Sequence, residues 1–66
     1  MTPDYLRHFM KEHQLTASDL AVITGKTPRT VRLWLSGAHP IPLTVKLLVR
    51  AVAEELINFD WILDKL

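Results

Sequence analysis

Two arginines three residues apart on a short capped helix are the groups in this chain best placed to do chemistry. In "TGKTPRTVRLWLSG", Thr24 to Gly37, Thr27 can cap a helix and Pro28 can hold its first position, where a missing N–H removes nothing. Gly37 can end that helix after Ser36. Projected at about 100° per residue, Val31, Trp34 and Leu35 share one arc, while Arg29, Arg32, Leu33 and Ser36 share the opposite arc with Thr30 at its edge. Guanidinium groups suit bidentate contact with guanine or phosphate, and a helix N-terminus adds a positive end of its own. The segment reads as a helix with an anchoring face and a face that presents two arginines. Leu33, in the middle of the presenting face, has three readings: contact with a thymine methyl, contact with protein, or an ordinary exposed leucine.

Charge along the chain points the same way. The formal net charge is only +1, but Leu20 to Ala53 holds Lys26, Arg29, Arg32, Lys46 and Arg50 and no acid. All seven acids, Asp4, Glu12, Asp19, Glu54, Glu55, Asp60 and Asp64, lie outside that window. A basic middle between acidic ends suggests an anionic partner at the middle; chance clustering in a short chain is the plain alternative.

Other chemistries find no support. The chain has no cysteine, so it has neither a disulfide framework nor a thiolate metal site. His8 and His13 are five apart, which splays them by about 140° on a helix, and no metal site is expected. His39 follows the arginine helix and could reach a phosphate or simply face solvent. There is no glycine-rich phosphate loop and no nucleophile motif, and Asp60 and Asp64 read as solubilising charges. Neither enzyme activity nor a cofactor is expected. No run of about 18 apolar residues suggests a membrane span and no export signal is visible, so a cytoplasmic, intracellular protein is expected.

The elements that must position the arginines can be read from their ends. The 66 residues suffice for one small domain, residues 1–66. Thr2 and Pro3 open helix 1, to about His13, with Leu6, Phe9, Met10 and His13 repeating at three and four. Thr16 and Asp19 form a capping box for helix 2, about 17–24, which Gly25 stops. Helix 3 is 28–36. Pro42 opens helix 4, "PLTVKLLVRAVAEEL", with a polar stripe Lys46, Arg50 and Glu54; a helix apolar nearly all round is expected to pack on more than one side. A fifth helix could restart at Asn58. Strand-period alternation is absent, so the fold class is all-α, a compact bundle of four or five short helices.

Helices 2 and 3 carry a further pattern. Ala21, Gly25, Val31 and Trp34 stand in the spacing Ala-x3-Gly-x5-Val-x2-Trp, the framework of a helix-turn-helix. With Thr27 and the "SG" that closes helix 3, the stretch "LTASDLAVITGKTPRTVRLWLSGAHPIP" resembles the lambda-repressor/Cro-like (XRE-type) helix-turn-helix family over about Tyr5 to Ala53. The resemblance implies a five-helix domain whose helix 3 enters the major groove, usually as a homodimer on a palindromic operator. It places Thr27, Pro28, Arg29, Thr30, Arg32 and Leu33 where such proteins touch bases. It places the start of helix 2, Thr16, Ala17 and Ser18, and the loop Gly37 to Ile41 with His39 in segments that meet backbone phosphates; Lys26 and Ser36 are further phosphate candidates. Ala17 stands where many members carry a phosphate-clamping glutamine, and Thr24 and Lys26 occupy commonly apolar positions.

The expected function is therefore a sequence-specific, double-stranded-DNA-binding transcriptional regulator, a homodimeric repressor of phage or mobile-element type associated with the nucleoid. The tail, 56–66, is rich in large apolar groups. Leu56, Ile57, Phe59, Trp61, Ile62 and Leu66 are expected to supply a two-fold interface, some folding back on helices 1 and 4; the alternative is that all of them close the monomer core. A reading from another class keeps the scaffold but makes it an antitoxin-like or adaptor module, binding protein through Leu33 and the tail.

Overall fold

The computed structural model describes residues 1–65, apart from the side chains of Phe59, Trp61 and Leu63. The chain is all-α: α1 Pro3–Glu12, α2 Ala17–Thr24, α3 Pro28–Ser36, α4 Leu43–Ala53 and α5 Phe59–Lys65. The first three helices start where their capping residues require. The Thr2 hydroxyl accepts the Tyr5 amide at 3.1 Å, and Thr16 and Asp19 cap each other reciprocally at 3.1 and 2.9 Å. The Thr27 hydroxyl accepts the Thr30 amide at 3.2 Å. Each bond satisfies a donor that the first helical turn leaves orphaned.

Helix ends divide into two kinds. Gly25 (φ 70°) and Gly37 (φ 81°) take the left-handed conformation, which costs glycine nothing. Gln14 (φ 55°) and Glu55 (φ 60°) take it without that advantage. They do so because the 6→1 bonds Leu15 N–H to Met10 O, 2.8 Å, and Leu56 N–H to Ala51 O, 2.9 Å, close α1 and α4 in the manner of a Schellman motif. Gln14→Gly and Glu55→Gly should each stabilise the fold, by about 0.5–1 kcal/mol, since the left-handed strain removed exceeds the added freedom of the unfolded chain. For a domain of this size that is a rise of a few degrees in Tm, read by thermal circular dichroism.

Leu6, Phe9 and Met10 of α1, Leu20 and Ala21 of α2, Val31 and Trp34 of α3, Ile41, and Val45, Val49 and Val52 of α4 form one buried cluster. α3 packs most closely on α2 and next on α1. Helix 4 differs from expectation. It buries the valine face alone and leaves Leu43 and Leu47 68% and 59% exposed. Apolar count shows what a helix could bury, but a chain this short has too few elements to cover α4 on a second side. It also ends earlier than its apolar run, because the left-handed turn at Glu55 intervenes.

The tail is divided. Ile57 and Ile62 are half-buried against the core, which closes the monomer on that side. Leu56 is 72% exposed. Leu66 and the side chains of Phe59 and Trp61 lie outside the described residues.

Candidate nucleic-acid interface

The arrangement of α2 and α3 starts with the three residues between them. Gly25 turns the chain, its neighbour Lys26 donates its amide to the Ala21 carbonyl at 2.9 Å, and Thr27 immediately caps α3. Ala21 is 2% exposed at the α2 side of this junction, so a small residue sits where the two helices close together. Val31 and Trp34 then bury the inner face of α3, and Leu35 is half-buried beside them.

A second tie orients α3 from its other end. The Arg7 guanidinium donates to the Leu35 carbonyl at 2.5 Å and to Asp4 Oδ1 at 2.7 Å. Leu35 belongs to the last turn of α3, whose carbonyls lack helical partners, so Arg7 satisfies one of them and adds positive charge at the negative helix end. Arg7 is thus a positioning residue that the sequence did not disclose. A carboxylate at i−3, Asp4, marks nothing beyond a local pair, and the contact 28 residues away leaves no pattern in the sequence.

With α3 held at both ends and along one face, Arg29, Arg32 and Ser36 are exposed on the other. Thr30 and Pro28 are half-buried at its edge. Leu33 corrects the projection. It is half-buried, not in the open centre of the face, and the chain after α3 turns back so that the His39 amide donates to the Leu33 carbonyl at 3.2 Å. The presented surface is therefore more polar than the sequence suggests.

Electrostatics separate the two arginines of α3 from the other two. Arg7 is held by Asp4, and Arg50 faces Glu54 at 3.6 Å. Among the described residues Arg29, Arg32 and Lys26 have no ion pair and no side-chain hydrogen bond. The first turns of α1, α2 and α5 carry Asp4, Asp19 and Asp60, whereas α3, like α4, has no acid in its first turn. Its N-terminal charge is uncompensated, and two free guanidinium groups project beside it. The corner is electropositive, with chemistry suited to an anion.

The residues expected at phosphates fare unequally. Lys26, Ser18 and His39 are exposed. Ser36 is exposed too, but its hydroxyl already donates to the Leu33 carbonyl at 3.1 Å and accepts the Ala38 amide at 3.4 Å. Ala17 is half-buried against the core, and the Thr16 amide is taken by the Asp19 carboxylate. That carboxylate already occupies the positive end of α2. The Thr16 backbone and hydroxyl hydrogen bonds hold its pKa below the ordinary 3.8. Because the folded pKa is depressed, this contribution to stability is complete above the ordinary value and is lost as pH falls through the lower, folded one. Melting temperature should accordingly drop in acid, and Asp19→Asn should flatten part of that dependence in melts recorded from about pH 5 downwards.

The two histidines of the α1 region are engaged locally. His8 meets Glu12 at 3.0 Å, and the His13 ring lies 4.6 Å from that of Phe9. The acid-free window of the sequence also proves to be two surfaces: Lys26, Arg29 and Arg32 belong to the α2–α3 corner, while Lys46 and Arg50 line a groove with Met1 and Tyr5. No protein-family model matches the chain, and neither a curated protein nor a solved structure matches it.

Proposed function

We propose that the chain binds double-stranded DNA, with α2 and α3 acting as a helix-turn-helix and the outer face of α3 lying in the major groove. Arg29 and Arg32 are the base readers, Thr27 and Thr30 stand at the helix entrance, and Lys26 and Ser18 meet flanking phosphates. The observation that carries this reading is the pair of arginines without intramolecular partners, presented from an acid-free helix end that is anchored by Val31, Trp34 and Arg7. A rigid support of this kind suits recognition, because a side chain fixed at its base loses less freedom on binding. The role that follows is a transcriptional regulator working in the cytoplasm at the chromosome, repressing by occupying its site, with two copies reading two half-sites about 34 Å apart.

Salt dependence is the direct test. With three to five phosphates neutralised, log K should fall against log salt with a slope of about −3 to −4.5, followed by fluorescence anisotropy of a labelled duplex. An affinity that ignores salt would instead favour a protein-binding module. A protein contact does have an observation of its own, the exposed apolar groove on α4, but that groove lies on different residues from the arginine face.

A further inference from the structure

The outward side of α4 carries apolar surface that the arginine face does not use. Leu43 and Leu47, one turn apart, line a groove of about 530 Å³ with Met1 and Tyr5. The four expose on the order of 400 Å² together, a patch of the size that on a monomer is often functional. Lys46 and Arg50, also one turn apart, stand in the same groove. We infer that this groove receives an acidic amphipathic helix of a partner protein, its apolar residues lying between α1 and α4 and its carboxylates over Lys46 and Arg50.

The form of the groove sets the form of its ligand. At about 100° per residue, Leu43, Leu47 and Arg50 fall on the side of α4 opposite the buried Val45, Val49 and Val52, with Lys46 at the edge. The groove therefore runs along α4, from Leu43 to Glu54, and α1 supplies its other wall through Tyr5. That is roughly 15 Å of helix, room for about three turns of a partner. A helix laid in a groove offers apolar anchors at the matching one-turn spacing, i, i+3, i+4 and i+7.

Charge selects which helix. Lys46 is half-buried and has no ion pair among the described residues. Arg50 faces Glu54 at 3.6 Å across exposed side chains, a contact that solvent screens and that neutralises little. From Leu43 to Ala53, α4 has two cations and no acid. Two carboxylates one turn apart on the ligand would each find a cation, beside apolar contacts that exclude water. The same charges disfavour other occupants. A second copy would bring the same two cations to the groove, and a duplex would press phosphates on Leu43 and Leu47. An anionic bilayer is held by clusters of about four to eight cations, and this face has two.

Geometry allows this surface and the arginine face to be used at once. Tyr5 stands roughly 160° around α1 from Arg7, the residue bonded to the end of α3, so the groove and α3 flank α1 on opposite sides. The inference is independent of DNA binding, since its test contains no DNA.

The probe is a displayed library of helical peptides about four turns long, with apolar residues fixed one turn apart and flanking positions varied among Glu, Lys and Ala. Selection on the full chain should enrich Glu over Lys beside the apolar stripe. When the best peptide is titrated, backbone amide signals should shift at Leu43, Leu47 and Tyr5 and stay in place at Arg29 and Arg32. Leu47→Ala should weaken that peptide by about 10-fold or more, with the helical circular dichroism unchanged because Leu47 lies outside the core. Lys46→Glu should weaken it too, and should regain affinity for the peptide whose facing Glu is replaced by Lys. An unenriched library, enrichment of Lys, binding that survives both substitutions, or shifts centred on α3 would overturn the inference. So would a wild-type dimer that Leu47→Ala dissociates in sedimentation, or flotation with phosphatidylglycerol vesicles that Leu47→Ala abolishes, since these give the groove to a second copy or to a membrane.

Discussion

Trp34→Ala should destabilise the fold by about 3–5 kcal/mol, the largest loss expected of any single substitution in α3. Trp34 is 2% exposed and sits with Val31, Leu6 and Leu20 in the buried cluster formed among the described residues. Truncating a buried tryptophan costs about 3–5 kcal/mol in lost transfer energy and residual cavity. A domain of this length has roughly 3–10 kcal/mol in total, so the loss takes between about a third of the stability and all of it. Urea unfolding followed by circular dichroism measures it directly. A loss below about 1 kcal/mol would mean that Trp34 does not anchor α3, and the support for the arginine face would fall with it. The same substitution separates two roles for the ring, because a base-stacking tryptophan would leave stability nearly intact and weaken DNA binding alone.

The opposite behaviour is expected of the arginines. Arg29→Ala and Arg32→Ala remove exposed side chains without intramolecular partners, so stability should move by no more than about 0.5 kcal/mol. Affinity for the preferred duplex should fall by about 1–3 kcal/mol for a base reader, roughly 5- to 150-fold, with relaxed preference at one position. An arginine bound only to phosphate would weaken all sequences alike and reduce the salt slope by about 1. Competition titrations with single-base variants of the duplex distinguish these outcomes. Unchanged affinity in both variants, with folding intact, would remove α3 as the reading helix.

How much of this was visible in the sequence depended on the kind of signal. Helix starts were legible because their chemistry is local: Thr2 with Pro3, Thr16 with Asp19, and Thr27 with Pro28 each satisfy orphan amides within four residues. Stops marked by Gly25 and Gly37 were legible for the same reason. The turn at Glu55 was not, since glutamate gives no warning of a left-handed conformation that only the closing Leu56 amide imposes. The anchoring side of α3 followed from periodicity. The half-burial of Leu33 did not, because a helical projection contains no neighbours.

The candidate surfaces show the same limit. Arg29 and Arg32 could be found by spacing, but their lack of intramolecular partners required knowing where Asp4 and Glu54 lie. The linear window that joined Lys26, Arg29 and Arg32 to Lys46 and Arg50 merged two surfaces that the fold separates. Leu43 and Leu47 had been counted towards a doubly packed helix. With the valine face of α4 alone buried, they stay exposed instead.

Selection of a random duplex library on the full-length chain, sequenced after several rounds at about 150 mM salt, tests the central claim most directly. The account predicts enrichment of a short motif containing guanine, with the guanine preference lost for Arg29→Ala or Arg32→Ala. A library that emerges unenriched from a folded chain would contradict it.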